Sequence, residues 1–203
     1  MTKIKTREEW LNVVLHKHVA KLFQGKAGVT LPTDAKVSVG FPGGGSSRKR
    51  IGECWTRSAS SIGVNEIFIN PVITSPAMMI DVLVHEAIHA ADDCKSGHKG
   101  FFRKTAKAVG LEGKMKSTHA GAELRVWIER VIAVMPKMDY GSLDLGGRKK
   151  QTTRMVKVVC PSPDCGCVVR MTQKWLSTVG APRCGCGEQM EAEGVDGSDE
   201  GGE

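Results

Sequence analysis

His85-Glu86-Ala87-Ile88-His89 carries the residue types and the spacing of a metal-binding helix. Residues four apart on an α-helix sit one turn apart, so both imidazoles leave the same face and can hold one zinc ion. Glu86 follows the first histidine and can reach the remaining side of that metal, where a carboxylate can take a proton from an activated water. A catalytic zinc takes a third protein ligand and keeps one position for water. His98, nine residues past His89 in Gly97-His98-Lys99-Gly100, is the first choice, because the glycines let the chain turn back after the helix. Glu112 and Glu123 are the alternatives, and Asp93, one turn beyond His89, is expected to support the ligands from behind. The chemistry this set would perform is hydrolysis of a peptide bond, with Glu86 as general base and then as proton donor to the leaving amine.

A second cluster lies near the C-terminus. Cys160, Cys165, Cys167, Cys184 and Cys186 fall within 27 residues, and the 18 residues between Cys165 and Cys184 suit paired zinc knuckles. Cys160, Cys165, Cys184 and Cys186 are the expected ligands of a structural zinc. Cys167 is the alternative, since Cys165-Gly166-Cys167 mirrors Cys184-Gly185-Cys186. So short a segment has too little core to fold without its metal. Lys157, Arg170, Lys174 and Arg183 decorate this module, with Trp175 among them in the sequence. An exposed aromatic among bases can stack a nucleobase, but Trp175 is expected to fill the module's small core. Cys54 and Cys94 are expected to be buried and ordinary.

The elements that must position these groups are legible in outline. Thr6-x-x-Glu9 is a capping box opening a helix with Leu11, Val14, Leu15, His18 and Leu22 on one side and an end near Gly25. His16 and His18 point to different faces, and so are surface or packing residues. Short β-type runs come next at Val37 to Phe41, Ile51 to Arg57 and Val64 to Asn70, separated by Gly- and Ser-rich turns. Ser75-Pro76 is a good helix start, and Ala77 to Ala91 is nearly apolar all round, which means a buried helix. A further helix is expected from about Gly100 to Val109, stopping at Gly110. Another starts near Ser117 or Thr118, carries Leu124, Trp127, Ile128, Val131 and Met135 at helical spacing, and ends at Pro136. His119 is expected at the surface or at a cap.

Composition bounds the rest. No run of 18 apolar residues occurs in the 203-residue chain, so no membrane-spanning segment and no membrane partner is expected. Met1 to Glu9 lacks the apolar stretch of a secretion signal, which points to the cytoplasm, where seven cysteines are reduced or metal-bound. The net charge of +7 conceals an asymmetry. Residues 188–203 hold seven of the 22 acids and no base, leaving 29 bases against 15 acids, a net +14, over residues 1–187. That excess favours a polyanionic partner, with nucleic acid the obvious one. Arg148, Lys149, Lys150 and Arg154 in the linker, with Arg170 and Lys174 in the cysteine module, are the expected contacts. The chain divides into a metal-helix domain over 1–136, a basic linker over 137–154, a zinc ribbon over 155–190 and a disordered acidic tail over 191–203.

With these parts in place, the chain resembles the SprT-like (Spartan-type) zinc metallopeptidases. The resemblance rests on His85-Glu86-Ala87-Ile88-His89-Ala90, on Gly97-His98-Lys99-Gly100-Phe101-Phe102, on the C-terminal zinc ribbon and on the order of helix, short strands and H-E-x-x-H helix. It covers roughly residues 36–136 and 155–187. The departures are Lys99, where a glycine often follows the third histidine, a short His89-to-His98 segment and altered cysteine spacing. In size and ribbon the chain looks similar to SprT-like proteins of phage genomes, which would place it in the host cytoplasm. The resemblance implies an α+β, zincin-like metallopeptidase domain with a small three-stranded sheet packed on helices, followed by a small β zinc ribbon. It implies one catalytic zinc on His85, His89 and His98 with Glu86 as the catalytic residue, one structural zinc, and proteolysis of DNA-bound or DNA-crosslinked proteins. The alternative is a nucleic-acid-binding zinc-ribbon protein whose peptidase-like domain is only a scaffold.

Overall fold

The computed structural model describes residues 4–43, 50–137, 141, 143 and 155–193. The chain forms two compact units, residues 1–145 and 146–203. Both mix helices with small sheets. Among the described residues no helix is long and apolar enough to cross a membrane. Arg148, Lys149, Lys150 and Arg154 lie outside the described residues, as does most of the expected linker.

The first unit opens as the sequence predicts. Thr6 Oγ1 accepts the Glu9 backbone N–H at 3.1 Å, and the Glu9 carboxylate accepts the Thr6 N–H at 3.3 Å. Helix α1 (Arg7–Val14) runs into a five-residue π-helical stretch, Leu15–Val19, and on into α2 (Ala20–Ala27). The end expected near Gly25 comes three residues later. Gly25 is carried within the helix at a cost of about 1 kcal/mol, whereas Gly28 takes the left-handed conformation, φ 63°, that stops it.

Strands β1 (Lys36–Val39), β2 (Gly52–Trp55) and β3 (Glu66–Ile69) form one sheet in the order β1-β3-β2. The β1 pairing is parallel, Val37 opposite Ile67, and the β2 pairing antiparallel, Cys54 opposite Ile67. Ile67 and Ile69 of the central strand are wholly buried beneath α3 (Pro76–Ala91). This helix is set by the Ser75 cap, whose hydroxyl accepts the Met78 N–H, and by Pro76 at its first position. It buries Met79, Ile80, Leu83, Val84, Ala87 and Ile88, which is why it reads as apolar on every side.

Helix α4 (Gly100–Val109) ends at Gly110, φ 91°, as expected. The next segment departs from expectation. Leu111–Lys114 and Ser117–Ala120 pair as a hairpin, β4 and β5, and the helix after it, α5, spans Ala122–Val134. Ser117 and Thr118, expected to begin that helix, instead lie in β5.

In the second unit β6 (Met155–Val159) pairs antiparallel with β7 (Val168–Thr172) and with β8 (Glu191–Ala192). Glu191 and Ala192, expected in a disordered tail, are therefore part of the sheet, because their backbone completes the free edge of β6 at Val158 and Val159. A short helix, α6 (Gln173–Val179), lies between β7 and the second cysteine pair, capped by Thr172. Among the described residues its fully buried core is Val158, Cys160, Cys184 and Met190, with Val156, Met171 and Leu176 among the half-buried side chains packed on it. Trp175, expected inside that core, is 54% exposed; Val158 and Met190 fill the space instead.

Candidate metal centres

Helix α3 presents His85 and His89 on one face, and His98 reaches them from just before α4. One ring nitrogen of each histidine lies within 4.8 Å of the others. The Nε2 atoms of His85 and His89 each stand 3.3 Å from His98 Nε2. Phe102, wholly buried on the first turn of α4, forms the floor, with ring centroids 4.8, 4.5 and 4.9 Å from His85, His89 and His98. Sequence reasoning gives Phe102 no role; its place two residues into a helix that begins beside His98 is the signal that could have found it.

The connection from α3 to His98 is closely fixed. Asp93 and Cys94 both adopt left-handed conformations, φ 55° and 60°, which turn the chain sharply after His89. Such conformations persist only where surrounding bonds impose them. Asp93 Oδ1 accepts the Arg57 backbone N–H at 2.8 Å and Asn65 Nδ2 at 3.0 Å. Asp92 Oδ2 accepts the Ser96 N–H, and Ser96 Oγ accepts the Phe102 N–H. Asp93 thus ties the turn to the sheet rather than supporting an imidazole, because its αL backbone aims the carboxylate at the β2–β3 end.

The residue that does bond an imidazole from behind is Thr118, whose Oγ1 is 2.7 Å from His85 Nδ1. That bond leaves Nε2 to face the other two histidines. Thr118 escapes sequence reasoning because its segment reads as a helix start. Of the alternative ligands, Glu112 sits on β4 opposite His119 with its carboxylate against Gly121, and Glu123 is exposed beside Lys26. Neither belongs to the histidine group.

Glu86 is 7% exposed. It faces a cleft of about 360 Å³ bounded by the start of β2, by α3 and by β5, with His85, Gly52, Thr118 and His119 in its walls. Burial, then the Cys94 thiol and Glu53, push the Glu86 carboxyl up to about 8. Burial and the neighbouring imidazoles hold His85 down at about 3 and, with His98, His89 at about 4. His98 is lowered as well, by burial and by Lys116. All three shifts favour the uncharged ring, which is the state a metal requires of an imidazole. Cys54 and Cys94 are half-buried rather than fully so, and the Cys94 thiol donates to the Cys54 carbonyl at 3.5 Å.

In the second unit the thiols of Cys160, Cys165, Cys184 and Cys186 lie within 4.8 Å of one another. Cys167 stands outside that set, its carbonyl accepting the Cys160 N–H at 3.0 Å. Hydrogen bonds from the Cys186 backbone and from the Cys165 and Cys186 thiols draw Cys184 down to about 6. Four thiols with one ready to ionise form a set that could hold a metal ion. Arg170 and Lys174 are exposed on this unit, and Lys174 Nζ lies 5.8 Å from the centre of the Trp175 ring.

Compared with models of known protein families, with curated proteins and with solved structures, the chain finds no match in any of the three.

Proposed function

We propose that this protein is a zinc-dependent endopeptidase that works in association with DNA, on proteins bound or crosslinked to it. The observation that carries the reading is the grouping of three imidazoles around one point, with the buried Glu86 carboxyl opening onto the adjoining cleft. Three nitrogen donors suit a catalytic zinc with one position left open, and four thiols suit a closed structural zinc. His85, His89 and His98 would hold the first, and Cys160, Cys165, Cys184 and Cys186 the second. When bound, the catalytic zinc would supply Lewis-acid activation of water and of the scissile carbonyl.

The chain's own groups would do the remainder. Thr118 fixes the His85 ring so that Nε2 faces inward. Phe102 packs beneath all three rings and keeps water from their undersides. Glu86 lines the cleft, and with a cation on the three histidines beside it the carboxyl that burial holds protonated would be drawn back to the carboxylate, able to accept a proton from the attacking water and return it to the departing amine. The DNA-associated part of the reading is supported by the net +14 over residues 1–187 and by Lys174 beside the exposed Trp175, with Arg170 exposed on the same unit, residue types able to pair phosphates and stack a base. That same exposed aromatic favours a second reading, a nucleic-acid-binding zinc protein whose first unit does not cleave.

Cleavage of a DNA-binding protein, with and without single-stranded DNA, by the zinc-loaded protein and by Glu86→Gln separates the two. DNA-stimulated cleavage lost in the variant is the expected result. No cleavage by either protein, with two zinc ions and DNA retained, would leave the binding-protein reading.

A further inference from the structure

Beside His98 the surface is concave and uniformly basic. The loop Lys95–Lys99 and the hairpin turn Lys114–Ser117 enclose a depression of about 630 Å³ with His98 in its wall. Lys95, Lys99, Lys114 and Lys116 line it, and no carboxylate does. Among the described residues none of the four ammonium groups makes an ion pair or a hydrogen bond. Asp92 and Asp93, just before the Lys95–Lys99 loop, accept hydrogen bonds from other groups, Asp93 from Arg57 and Asn65 and Asp92 from Ser96. Four like charges around one hollow repel one another, and an anion placed among them relieves that repulsion.

The hollow lies beside the cleft over Glu86, with Lys116 and Ser117 bordering both. Its occupant would therefore sit next to the scissile position. Two kinds of anion could enter, a nucleic acid or an acidic peptide. Single-stranded nucleic acid is held by phosphate contacts together with aromatic platforms for its bases. This depression has no aromatic side chain besides the His98 imidazole, only Met115 between the lysines. We propose that the four-lysine basin is a substrate subsite that takes the carboxylate of an aspartate or glutamate side chain, so that the enzyme cuts next to acidic residues. The inference rests on the peptidase reading above.

The test uses zinc-loaded protein and peptides blocked at both ends, in which a single glutamate or glutamine is stepped along an otherwise neutral sequence. Glutamate at one fixed distance from the cut is expected to raise kcat/KM at least 10-fold over glutamine, more so at low salt. In Lys95→Glu/Lys99→Glu/Lys114→Glu, with zinc content unchanged, the preference should reverse towards lysine at that position, which a damaged fold could not produce. Binding of the same peptides, fluorescently labelled, to Glu86→Gln is read in parallel and should show the same ratio. If no peptide is cut, the peptidase reading fails, and the basin is still judged by whether glutamate peptides bind at least 10-fold tighter. Equal handling of glutamate and glutamine overturns the proposal. So does a preference that appears only with a free C-terminal carboxylate. Loss of single-stranded DNA binding in the triple variant with an unchanged glutamate-to-glutamine ratio would make the basin a nucleic-acid surface and likewise overturn it.

Discussion

Gly52 is the position where the smallest change should disturb the proposed chemistry most. It stands at the start of β2, directly against α3. A Cβ built there would lie 2.4 Å from Val82 Cγ1, 2.7 Å from Glu86 Oε1 and 3.0 Å from Glu86 Cγ. Ordinary carbon contacts begin near about 3.5 Å, so Gly52→Ala forces movements of about 1 Å in the groups it meets. The helix cannot retreat, because its far side is packed in the core through Ile80, Leu83 and Ala87, so the side chains must turn. Overpacking of this kind costs about 1–3 kcal/mol, which for a unit of this size lowers Tm by roughly 3 to 10 °C. Displacing a catalytic group by about 1 Å costs about 100-fold in rate. The expected outcome is a kcat/KM on a quenched fluorescent peptide lower by about 100-fold, with the zinc content unchanged, since the atoms nearest the added Cβ belong to Val82 and Glu86 and not to a histidine. Adding Val82→Ala removes the nearest clash but leaves the one with Glu86. The double variant should regain Tm while kcat/KM stays low. Wild-type kcat/KM in Gly52→Ala would refute the reasoning, for it would mean that Glu86 need not lie against β2 to act.

Three further outcomes are expected. Thr118→Val removes the bond to His85 Nδ1 and should weaken zinc at the histidine site by about 10- to 100-fold in a chelator competition; unchanged affinity would deny Thr118 its positioning role. In the metal-free protein Glu86 contributes stability that is present below its unfolded pKa of 4.5 and lost as pH rises through about 8, while His85 and His89, lowered from 6.5 to about 3 and 4, contribute stability present above 6.5 and lost as pH falls. Metal-free Glu86→Gln should therefore gain Tm from pH 4 to 7 and lack the decline of the wild type between pH 6.5 and 8; the same decline in both would contradict the assignment. Cys184→Ser, or stripping the metal with a strong chelator, should unfold the second unit, in which four described side chains are fully buried, two of them proposed ligands, and NMR dispersion retained by residues 155–193 without metal would count against a structural site there.

The metal helix is legible in the sequence because its signals reinforce one another: a serine cap, a proline at the first turn and an apolar run long enough to exclude a strand. The three strands are legible because glycine- and serine-rich turns bracket them. The β4–β5 hairpin is not, since Leu-Glu-Gly-Lys and Ser-Thr-His-Ala show no alternation of apolar residues, being exposed along most of their length. With the hairpin go Thr118 and the basic basin, which exist only once β5 folds back beside α3. His98 is within reach of sequence reasoning because glycines flank it. Asp93 is misjudged because its role depends on a left-handed backbone that no residue type announces. Trp175 is misplaced by the habit of burying aromatics, although two aliphatic side chains and the thiols already fill so small a core.

The π-helical stretch at Leu15–Val19 has a consequence well beyond the N-terminal helix. One added residue advances a helix by about 100°, so α1 and α2 run along a single axis in two different phases. The first phase turns Asn12 to the edge of β1, where its side chain brackets the Val37 backbone N–H and carbonyl. The second sets α2 against α4, the helix whose Phe102 floors the three imidazoles. Insertions and deletions here are therefore not length changes but rotations. Removing one residue would restore regular hydrogen bonding and swing Leu22, which lines a hollow with Lys107 and Val109, away from α4. A change far from the histidines in sequence would then reach them through the helix on which Phe102 rides.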